Sequence, residues 1–143
     1  MSTKKDKFSF KDKFYMELAL DLARARGGHT GTNPSVGCVI VKNDEIVSIG
    51  QTSFSGRPHA ETNAIKNTFE DLKGSKMYVT LEPCSHHGVT PPCTNSIIKS
   101  KIGEVIYSVI DVDKRVKGKT FKILKSKNIK VKKGVLEDRI KQF

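Results

Sequence analysis

Apolar residues near the amino terminus recur at helical spacing. Phe14, Leu18 and Leu22 follow this spacing, joined by Tyr15, Ala19 and Ala23, and they predict an amphipathic helix. Gly27 and Gly28 are expected to end that helix. Residues 1–11 are polar and basic, and we expect them to form a flexible tail ahead of one domain that covers residues 12–143.

Beyond this helix, short apolar runs alternate with helical segments. Residues 36–41 and 45–49 predict two strands, and Asn43-Asp44 between them is typical of a hairpin turn. A helix is predicted from about His59 to Phe69. The rest of the chain predicts strands at 77–81, 105–110 and 129–131, and short helices at 96–99, 121–124 and 136–140.

This order of elements predicts an α/β fold. A hairpin comes first, and the later strands alternate with helices, which favours parallel pairing. We therefore expect a three-layer α/β/α architecture in which a mixed five-strand sheet carries helices on both faces. The 143 residues are enough for one such domain and its core, and not for two.

The chain is strongly basic, but its charge is unevenly distributed. It has 26 Lys and Arg against 15 Asp and Glu, a net charge of +11. Residues 1–13 carry +3, residues 14–98 carry −1 and residues 99–143 carry +9. Of the 26 basic residues, 21 are Lys and only 5 are Arg. Arg is the residue type better suited to binding phosphates and the edges of bases. An excess of basic residues suggests a nucleic-acid partner. The distribution of charge here favours lysines on a solvated surface instead, and a nucleic-acid partner is the weaker interpretation.

Membrane and secretory signals are not visible in the sequence. The longest apolar run, at 36–41, is far shorter than the roughly 20 residues of a membrane helix. No apolar segment of a secretory signal follows the basic amino terminus. Three cysteines are an odd number and too few for a disulfide scaffold. These features predict a cytoplasmic protein that has no membrane partner.

Three residues offer the ligand set of a catalytic zinc ion. His59, Cys84 and Cys93 supply one nitrogen and two thiolates, and each of them follows a proline. Three protein ligands leave the fourth tetrahedral position to water, whereas a structural zinc site is normally closed by a fourth ligand. The sequence therefore predicts one Zn²⁺ per chain in an open site. Cys38, inside an apolar run, is expected to be a buried small hydrophobe.

Glu61 lies two residues after His59, at the predicted start of a helix. From there its carboxylate can reach the open side of the metal without replacing a ligand. Zinc lowers the pKa of its bound water to about 7, and a neighbouring carboxylate can accept that proton and pass it to a leaving amine. Proline, the residue at position 83, is often found at the first position of a helix. Cys84 is therefore expected in a first helical turn, where free N–H groups stabilise a thiolate.

The residues around these ligands resemble one family. H-x-E followed by P-C-x-x-C marks zinc-dependent nucleobase deaminases, but here eight residues separate Cys84 from Cys93. With that long spacing, residues 80–93 resemble the deaminase domain of the bifunctional riboflavin-biosynthesis deaminase/reductase. Residues 33–41, 56–61 and 111–119 are similar to the same family, and the match extends over residues 14–140.

The resemblance implies a cytidine-deaminase-like fold and a specific hydrolytic reaction. The substrate would be 2,5-diamino-6-ribosylamino-4(3H)-pyrimidinone 5′-phosphate, which would lose its 2-amino group as ammonia to give 5-amino-6-(5-phosphoribosylamino)uracil. Among the residues, it implies metal binding by His59, Cys84 and Cys93 and proton transfer by Glu61.

The resemblance also implies contacts with the substrate. Asn33 matches a position that hydrogen-bonds the substrate in this superfamily, and His86, between the two cysteines, is expected to line the pocket. Arg57 is a candidate for binding the substrate phosphate, as are two basic residues of the 111–119 loop, Lys114 and Arg115.

Some positions and the chain length differ from the family pattern. Relatives commonly carry a His where Thr52 stands, so the resemblance implies that substrate recognition here differs or is shared with Arg57. Glu82, before Pro83 and Cys84, is expected to accept hydrogen bonds from nearby backbone N–H groups. The usual reductase has no counterpart in the 143 residues, which implies a separate reductase chain or a missing carboxy-terminal domain. The resemblance favours a homo-oligomer over a monomer.

Two other functions stay open from the sequence. The net charge of +11 suggests the same chemistry on a base in tRNA or DNA, although the low Arg count and the neutral segment around the ligands disfavour it. The other is a zinc-stabilised binding module without catalysis. It would require a fourth protein ligand, for which His86 and His87 are candidates.

Overall fold

The computed structural model describes residues 8–85, 92–110 and 118–142 of the chain. The helices in these ranges are α1 (Phe10–Arg26), α2 (Ala60–Lys66), α3 (Cys93–Lys99), α4 (Lys119–Ser126) and α5 (Glu137–Lys141). The strands are β1 (Gly37–Lys42), β2 (Glu45–Gln51), β3 (Lys76–Leu81), β4 (Glu104–Val109) and β5 (Lys130–Lys133). Each helix and strand predicted above from the apolar pattern has a counterpart here, and α1 includes the last two residues of the predicted tail. Among the described helices, none combines the length and apolar character that crossing a membrane requires.

The five strands form one mixed sheet in the order β2-β1-β3-β4-β5. β1 pairs antiparallel with both β2 and β3, whereas β3, β4 and β5 run parallel to one another. One face of the sheet packs against α2, α3 and α4, and the other packs against α1 and α5. The predicted α/β/α arrangement, with a hairpin followed by parallel strands, is therefore confirmed.

The turn between β1 and β2 follows from two residues. Asn43 and Asp44 both have positive φ, at 53° and 62°, and they lie between the paired residues Lys42 and Glu45. Two consecutive left-handed residues define the hairpin turn whose twist matches that of the flanking strands. Asn and Asp tolerate this backbone better than most residues, which is why the dipeptide was informative.

The buried side of α1 differs in part from the prediction. Residues Tyr15, Met16, Ala19, Leu20 and Ala23 are buried against the sheet, as expected for three of them. The row that contains Phe14, Leu18 and Leu22 fits the same helical spacing but is less buried: Phe14 is 50% exposed, and the two leucines are partly buried against the same core. Close packing against β1 explains the choice of side, because a Cβ added to Gly37 would lie 1.8 Å from the carbonyl oxygen of Ala19.

A buried carboxylate ties α1 to the sheet. Asp12, in the first turn of α1, is 2% exposed, and its Oδ1 accepts a hydrogen bond of 2.7 Å from the Tyr78 hydroxyl. The Lys132 ammonium donates to Oδ2 at 3.2 Å. Burial alone would raise the pKa of Asp12, but the hydrogen bond from Tyr78 and the interaction with Lys132 outweigh it and lower that pKa below 3.8.

We expect Asp12→Asn to destabilise the fold in a pH-dependent way. At pH 7 it should reduce the free energy of unfolding by about 1–2 kcal/mol, because a charge-assisted hydrogen bond is lost in a buried position. The folded pKa is depressed, so the contribution of Asp12 is present above about pH 4 and is lost as the pH falls through the folded pKa. Urea unfolding of both proteins at pH 7 and pH 3 should therefore show a difference that shrinks in acid.

Asp21→Asn is the matched control for this measurement. Asp21 lies on the same helix with a side chain that is 62% exposed, 3.8 Å from Arg24. Exposed pairs of this kind contribute little to stability. The interpretation fails if both variants lose the same stability, or if the loss in Asp12→Asn does not change with pH.

Candidate metal centre and active site

The structure brings His59, Cys84 and Cys93 together from three parts of the fold. His59 is the residue before α2, Cys84 follows β3, and Cys93 is the first residue of α3. One ligand atom from each lies within 4.8 Å of the other two. In the described ranges, no other group of three or more histidine, cysteine or acidic side chains is placed to share an ion.

The distances within this group suit zinc. The His59 Nδ1 atom lies 3.7 Å from the Cys84 Sγ atom and 3.5 Å from the Cys93 Sγ atom. Tetrahedral zinc with Zn–N of about 2.0–2.1 Å and Zn–S of about 2.3 Å would separate its nitrogen and sulfur ligands by about 3.6 Å. One imidazole and two thiolates at these distances fit Zn²⁺ in both chemistry and size.

Cys84 does not lie in a helical turn, so that prediction was wrong. Residues 82–85 are irregular, and the Pro83 carbonyl accepts a 2.5 Å hydrogen bond from the Thr120 hydroxyl of α4. The N–H groups that reach Cys84 come from α3 instead. The Cys93 N–H donates to the Cys84 Sγ atom at 3.1 Å, and the Thr94 N–H donates to the Cys84 carbonyl at 3.2 Å. The Cys84 thiolate is therefore stabilised by an N–H group of α3, and not by a helix that begins at Cys84 itself.

The two thiols of the site differ in acidity. The hydrogen bond between the Cys84 and Cys93 side chains is the largest cause that lowers the pKa of Cys84, and His59 adds to it. The same hydrogen bond, together with burial, raises the pKa of Cys93. Hydrogen bonding to Cys84 also raises the pKa of His59. A divalent cation among these atoms would favour both cysteines as thiolates.

Glu61 lies in the first turn of α2 and is 4% exposed. Burial first, and then the charge of Cys84, raise the pKa of Glu61 to about 7. Helix α2 can pack closely enough against β2 to bury Glu61 because Gly50 has no side chain. A Cβ there would lie 2.4 Å from the Ala60 carbonyl oxygen and 2.5 Å from the Ala64 nitrogen. A buried carboxyl group with this pKa suits both uptake and release of a proton near neutrality.

Glu82 has the structural role that was predicted for it. It is 2% exposed, and one carboxylate oxygen accepts the Gly118 N–H at 3.1 Å. Gly118 is the residue before α4, so Glu82 caps that helix. With the bond from Thr120 to Pro83, this cap attaches the segment that carries Cys84 to α4. The role of Thr120 was not predicted from the sequence, because its hydrogen-bond partner, Pro83, is 37 residues away and no local pattern indicates the contact.

The predicted substrate contacts are only partly within the described structure. The Asn33 side-chain amide donates to the Gly56 carbonyl at 2.9 Å, which fixes it beside the segment that leads to His59. Arg57 lies in that segment and is exposed. His86 falls outside the described residues, as do Lys114 and Arg115.

Thr52, the position at which the family resemblance implied a difference in substrate recognition, is 1% exposed. Its hydroxyl accepts the Val36 N–H at 2.9 Å and donates to the Pro34 carbonyl at 3.1 Å. The threonine hydroxyl is therefore engaged by the backbone that connects Asn33 to β1.

Sequence reasoning also missed Asn63 in α2. Its side-chain amide donates to the Gln51 carbonyl at 2.7 Å, to the Ser53 hydroxyl at 2.9 Å and to the Pro58 carbonyl at 3.2 Å. These bonds join the end of β2 to the residue before His59. An Asn within a helical pattern carries no signal for such a role, because its partners are set by the tertiary fold.

Comparison with known proteins identifies the family. The model for the cytidine and deoxycytidylate deaminase zinc-binding region matches residues 9–109. The chain therefore belongs to this family of zinc-binding deaminases. The predicted zinc cofactor is confirmed by this match together with the placement of His59, Cys84 and Cys93.

Several relatives define the branch of the family. The diaminohydroxyphosphoribosylamino-pyrimidine deaminase of Buchnera aphidicola subsp. Acyrthosiphon pisum is 46% identical over 132 residues, which cover 92% of this chain and 90% of that protein. The riboflavin biosynthesis protein RibD of Aquifex aeolicus is 45% identical over 92% of this chain, but the match spans only 37% of its own length. These relatives confirm the resemblance to the riboflavin-biosynthesis deaminase.

A solved structure shows the same fold. The Thermotoga maritima diaminohydroxyphosphoribosylaminopyrimidine deaminase/5-amino-6-(5-phosphoribosylamino)uracil reductase superposes with a TM-score of 0.87 at 40% identity. The similarity covers 92% of this chain and 38% of that one. The cytidine-deaminase-like fold implied by the sequence is therefore confirmed.

We expect Cys93→Ala to lose zinc and Cys38→Ala to keep it. Both cysteines are buried and free, but only Cys93 is near His59. Loss of a ligand should release the metal and lower the melting temperature, because metal binding and folding are linked. Metal analysis should find about one zinc per chain in wild type and in Cys38→Ala. Full zinc content in Cys93→Ala would contradict the ligand assignment.

Proposed function

We propose that this chain catalyses the hydrolytic deamination of 2,5-diamino-6-ribosylamino-4(3H)-pyrimidinone 5′-phosphate to 5-amino-6-(5-phosphoribosylamino)uracil and ammonia. The observation that carries the proposal is the joint placement of His59, Cys84 and Cys93 with a buried Glu61 two residues along the chain. The Buchnera relative, which this chain covers over 90% of its length, bears the name of this activity. One Zn²⁺ per chain would be held by the His59 Nδ1 and the two Sγ atoms.

Zinc bound there supplies a Lewis acid that lowers the pKa of a coordinated water to about 7. Glu61 accepts a proton from the attacking water and transfers it to the pyrimidine ring nitrogen. It then accepts the proton of the hydroxyl group newly added to the ring and transfers it to the departing amine as the C–N bond breaks. The oxygen of the water replaces the 2-amino group, which leaves as ammonia. The pKa of Glu61, raised by burial to about 7, lets one carboxyl group perform both transfers.

The remaining residues of the site are assigned to binding the substrate. Asn33, anchored to Gly56, would offer its free amide atoms to the pyrimidine, and His86 would line the pocket. Arg57 would bind the 5′-phosphate, supported by its positive charge and its exposed position two residues before His59. Since the hydroxyl of Thr52 is engaged by the backbone, recognition would rely on Arg57 rather than on a contact at position 52.

The proposal also includes the compartment of the enzyme, the reductase that takes its product and its oligomeric state. None of the three cysteines is in a disulfide, which supports a reducing compartment, and we place the protein in the cytoplasm. The Aquifex relative is much longer than this chain, and we infer that the uracil product passes to a reductase, on a separate chain or a further domain. We also infer that the protein forms a homo-oligomer.

Glu61→Gln should keep its zinc and lose the reaction. The amide is nearly the same size as the carboxylate but cannot accept the proton, so ammonia release should fall by at least about a hundredfold. Ammonia release from the diaminopyrimidine ribotide and zinc content should be measured on the same preparations. Glu70→Gln, at an exposed position after α2, is the control and should retain wild-type turnover. Substantial turnover by Glu61→Gln would overturn the assignment of the proton-transfer residue.

Substrate choice separates this proposal from the two alternatives. We expect ammonia release from the free ribotide, none from tRNA, and loss of turnover when a chelator removes the zinc. Deamination of tRNA in place of the ribotide would favour an enzyme acting on nucleic acid. A zinc-loaded protein that deaminates neither substrate would favour a binding module.

A further inference from the structure

Two arginines near the proposed active site have no acidic partner among the residues that the structure describes. Arg26 is the last residue of α1, and Arg57 lies in the turn that precedes α2. The other two arginines in the described ranges, Arg24 and Arg139, each form an ion pair with a carboxylate. Guanidinium groups bind oxyanions through pairs of N–H groups. The two unpaired arginines are therefore candidates for binding an anionic group of a ligand.

The Arg26 side chain is held in place by an aromatic ring. Its guanidinium carbon lies 3.7 Å from the centroid of the Phe54 ring, and Phe54 is 63% exposed. The His29 ring meets the same ring edge-on, with the centroids 5.9 Å apart. The contact with the ring fixes the position of the guanidinium but supplies no oxygen acceptor for its N–H groups. Within the described ranges, the buried Nε atom of Arg26 has no hydrogen-bond partner.

The ring that holds Arg26 belongs to the turn that leads to His59. In this turn, residues 53–58, a backbone hydrogen bond of 3.2 Å joins the first residue to the last. The Asn33 side-chain amide donates to a carbonyl of the same turn at 2.9 Å, and Arg57 is part of the turn as well. The residue that we assign to binding the pyrimidine and both arginines are thus attached to one short segment that ends next to His59.

The two segments that carry these arginines have no acidic residue. Residues 26–36 and 52–60 include Arg26 and Arg57 but no Asp or Glu, although residues 14–98 together carry a net charge of −1. Glu61, which follows the second segment, is 4% exposed. The solvent-facing charge of both segments is therefore positive, which favours a ligand that has an anionic group.

We propose that Arg26, positioned by Phe54, binds the 5′-phosphate of the substrate together with Arg57. The inference rests on the proposed function, in which the pyrimidine reacts at the zinc. The phosphate is at the other end of that substrate, beyond the ribose, so its binding groups belong at the exposed edge of the site. Two guanidinium groups match a phosphate dianion in charge, and each can donate two hydrogen bonds to its oxygens.

The first experiment compares the ribotide with its dephosphorylated form. Arg26→Gln should raise KM for the ribotide by about tenfold or more and change kcat by less than about twofold, because the phosphate is bound but takes no part in the reaction. KM for the dephosphorylated compound should not change. Arg24→Gln is the matched control, because Arg24 lies on the same helix and is paired with Asp21. It should have the kinetic constants of the wild type for both compounds.

The second experiment tests Phe54 as a positioning residue. Phe54→Ala should raise KM for the ribotide less than Arg26→Gln does, whereas Phe54→Tyr, which keeps the ring, should retain the wild-type KM. In protein that already carries Arg26→Gln, Phe54→Ala should cause no further increase, since the ring acts through Arg26. An equal increase with and without Arg26 would show that Phe54 acts in another way and would overturn its assignment.

A binding measurement separates this inference from the proposed reaction. Ribose 5-phosphate should bind the zinc-loaded protein in calorimetry, and Arg26→Gln, but not Arg24→Gln, should weaken that binding by about tenfold or more. This result would support the phosphate site even if the protein deaminated no ribotide, in which case only the proposed function would fail.

Two results would overturn the phosphate assignment of Arg26. One is an equal rise of KM for the ribotide and for its dephosphorylated form in Arg26→Gln, which would indicate a general effect on the site. The other is a protein in which Arg26→Gln changes neither KM for the ribotide nor the binding of ribose 5-phosphate. Circular dichroism and zinc content should be the same in all variants, which excludes loss of the fold or of the metal as the cause.

Discussion

The direct contact of two helices with the sheet is the constraint on which the rest of this structure depends. At Gly37, α1 approaches β1 so closely that a Cβ would lie 1.8 Å from a helix carbonyl. At Gly50, α2 approaches β2, and a Cβ would lie 2.4 Å from the Ala60 carbonyl. The helix residues at these contacts are alanines: Ala19, Ala23, Ala60 and Ala64. Since backbone meets backbone at both places, a side chain at either glycine would force the helix away from the sheet.

This contact determines the chemistry at the start of α2. With the helix on the sheet, Glu61 is removed from water, and its pKa rises to about 7 because burial disfavours the charged form. His59, immediately before the helix, is brought to within 3.7 Å of Cys84 and 3.5 Å of Cys93. Glu61, to which we assign proton transfer, and one residue of the His59, Cys84 and Cys93 group are thus positioned by the same backbone contact, and Asn63 fixes the approach by binding the Pro58 carbonyl.

Local patterns in the sequence predicted the elements and the ligand set, because these depend on short-range chemistry. Asn43-Asp44 predicted a turn through its tolerance of positive φ, and the hairpin has that turn. The three ligands were recognisable because their residue types are rare in combination. The side of α1 that is buried was not fully predictable, since Phe14 and Ala19 both fit a helical period. The close backbone approach between Gly37 and Ala19 favours the alanine side, and it involves residues far apart in sequence.

Predictions that depended on tertiary contacts failed for the same reason. Pro83 suggested a helix at Cys84, but its carbonyl is bound by Thr120, so the chain continues as an irregular segment. The N–H that stabilises the Cys84 sulfur comes from Cys93, nine residues away. Part of the basic excess also has a structural use. Lys132 lies 3.2 Å from Asp12 and 3.8 Å from Glu104, two carboxylates largely removed from water. Such lysines neutralise internal charge and protect an edge strand, so a net charge of +11 does not by itself indicate a polyanionic partner.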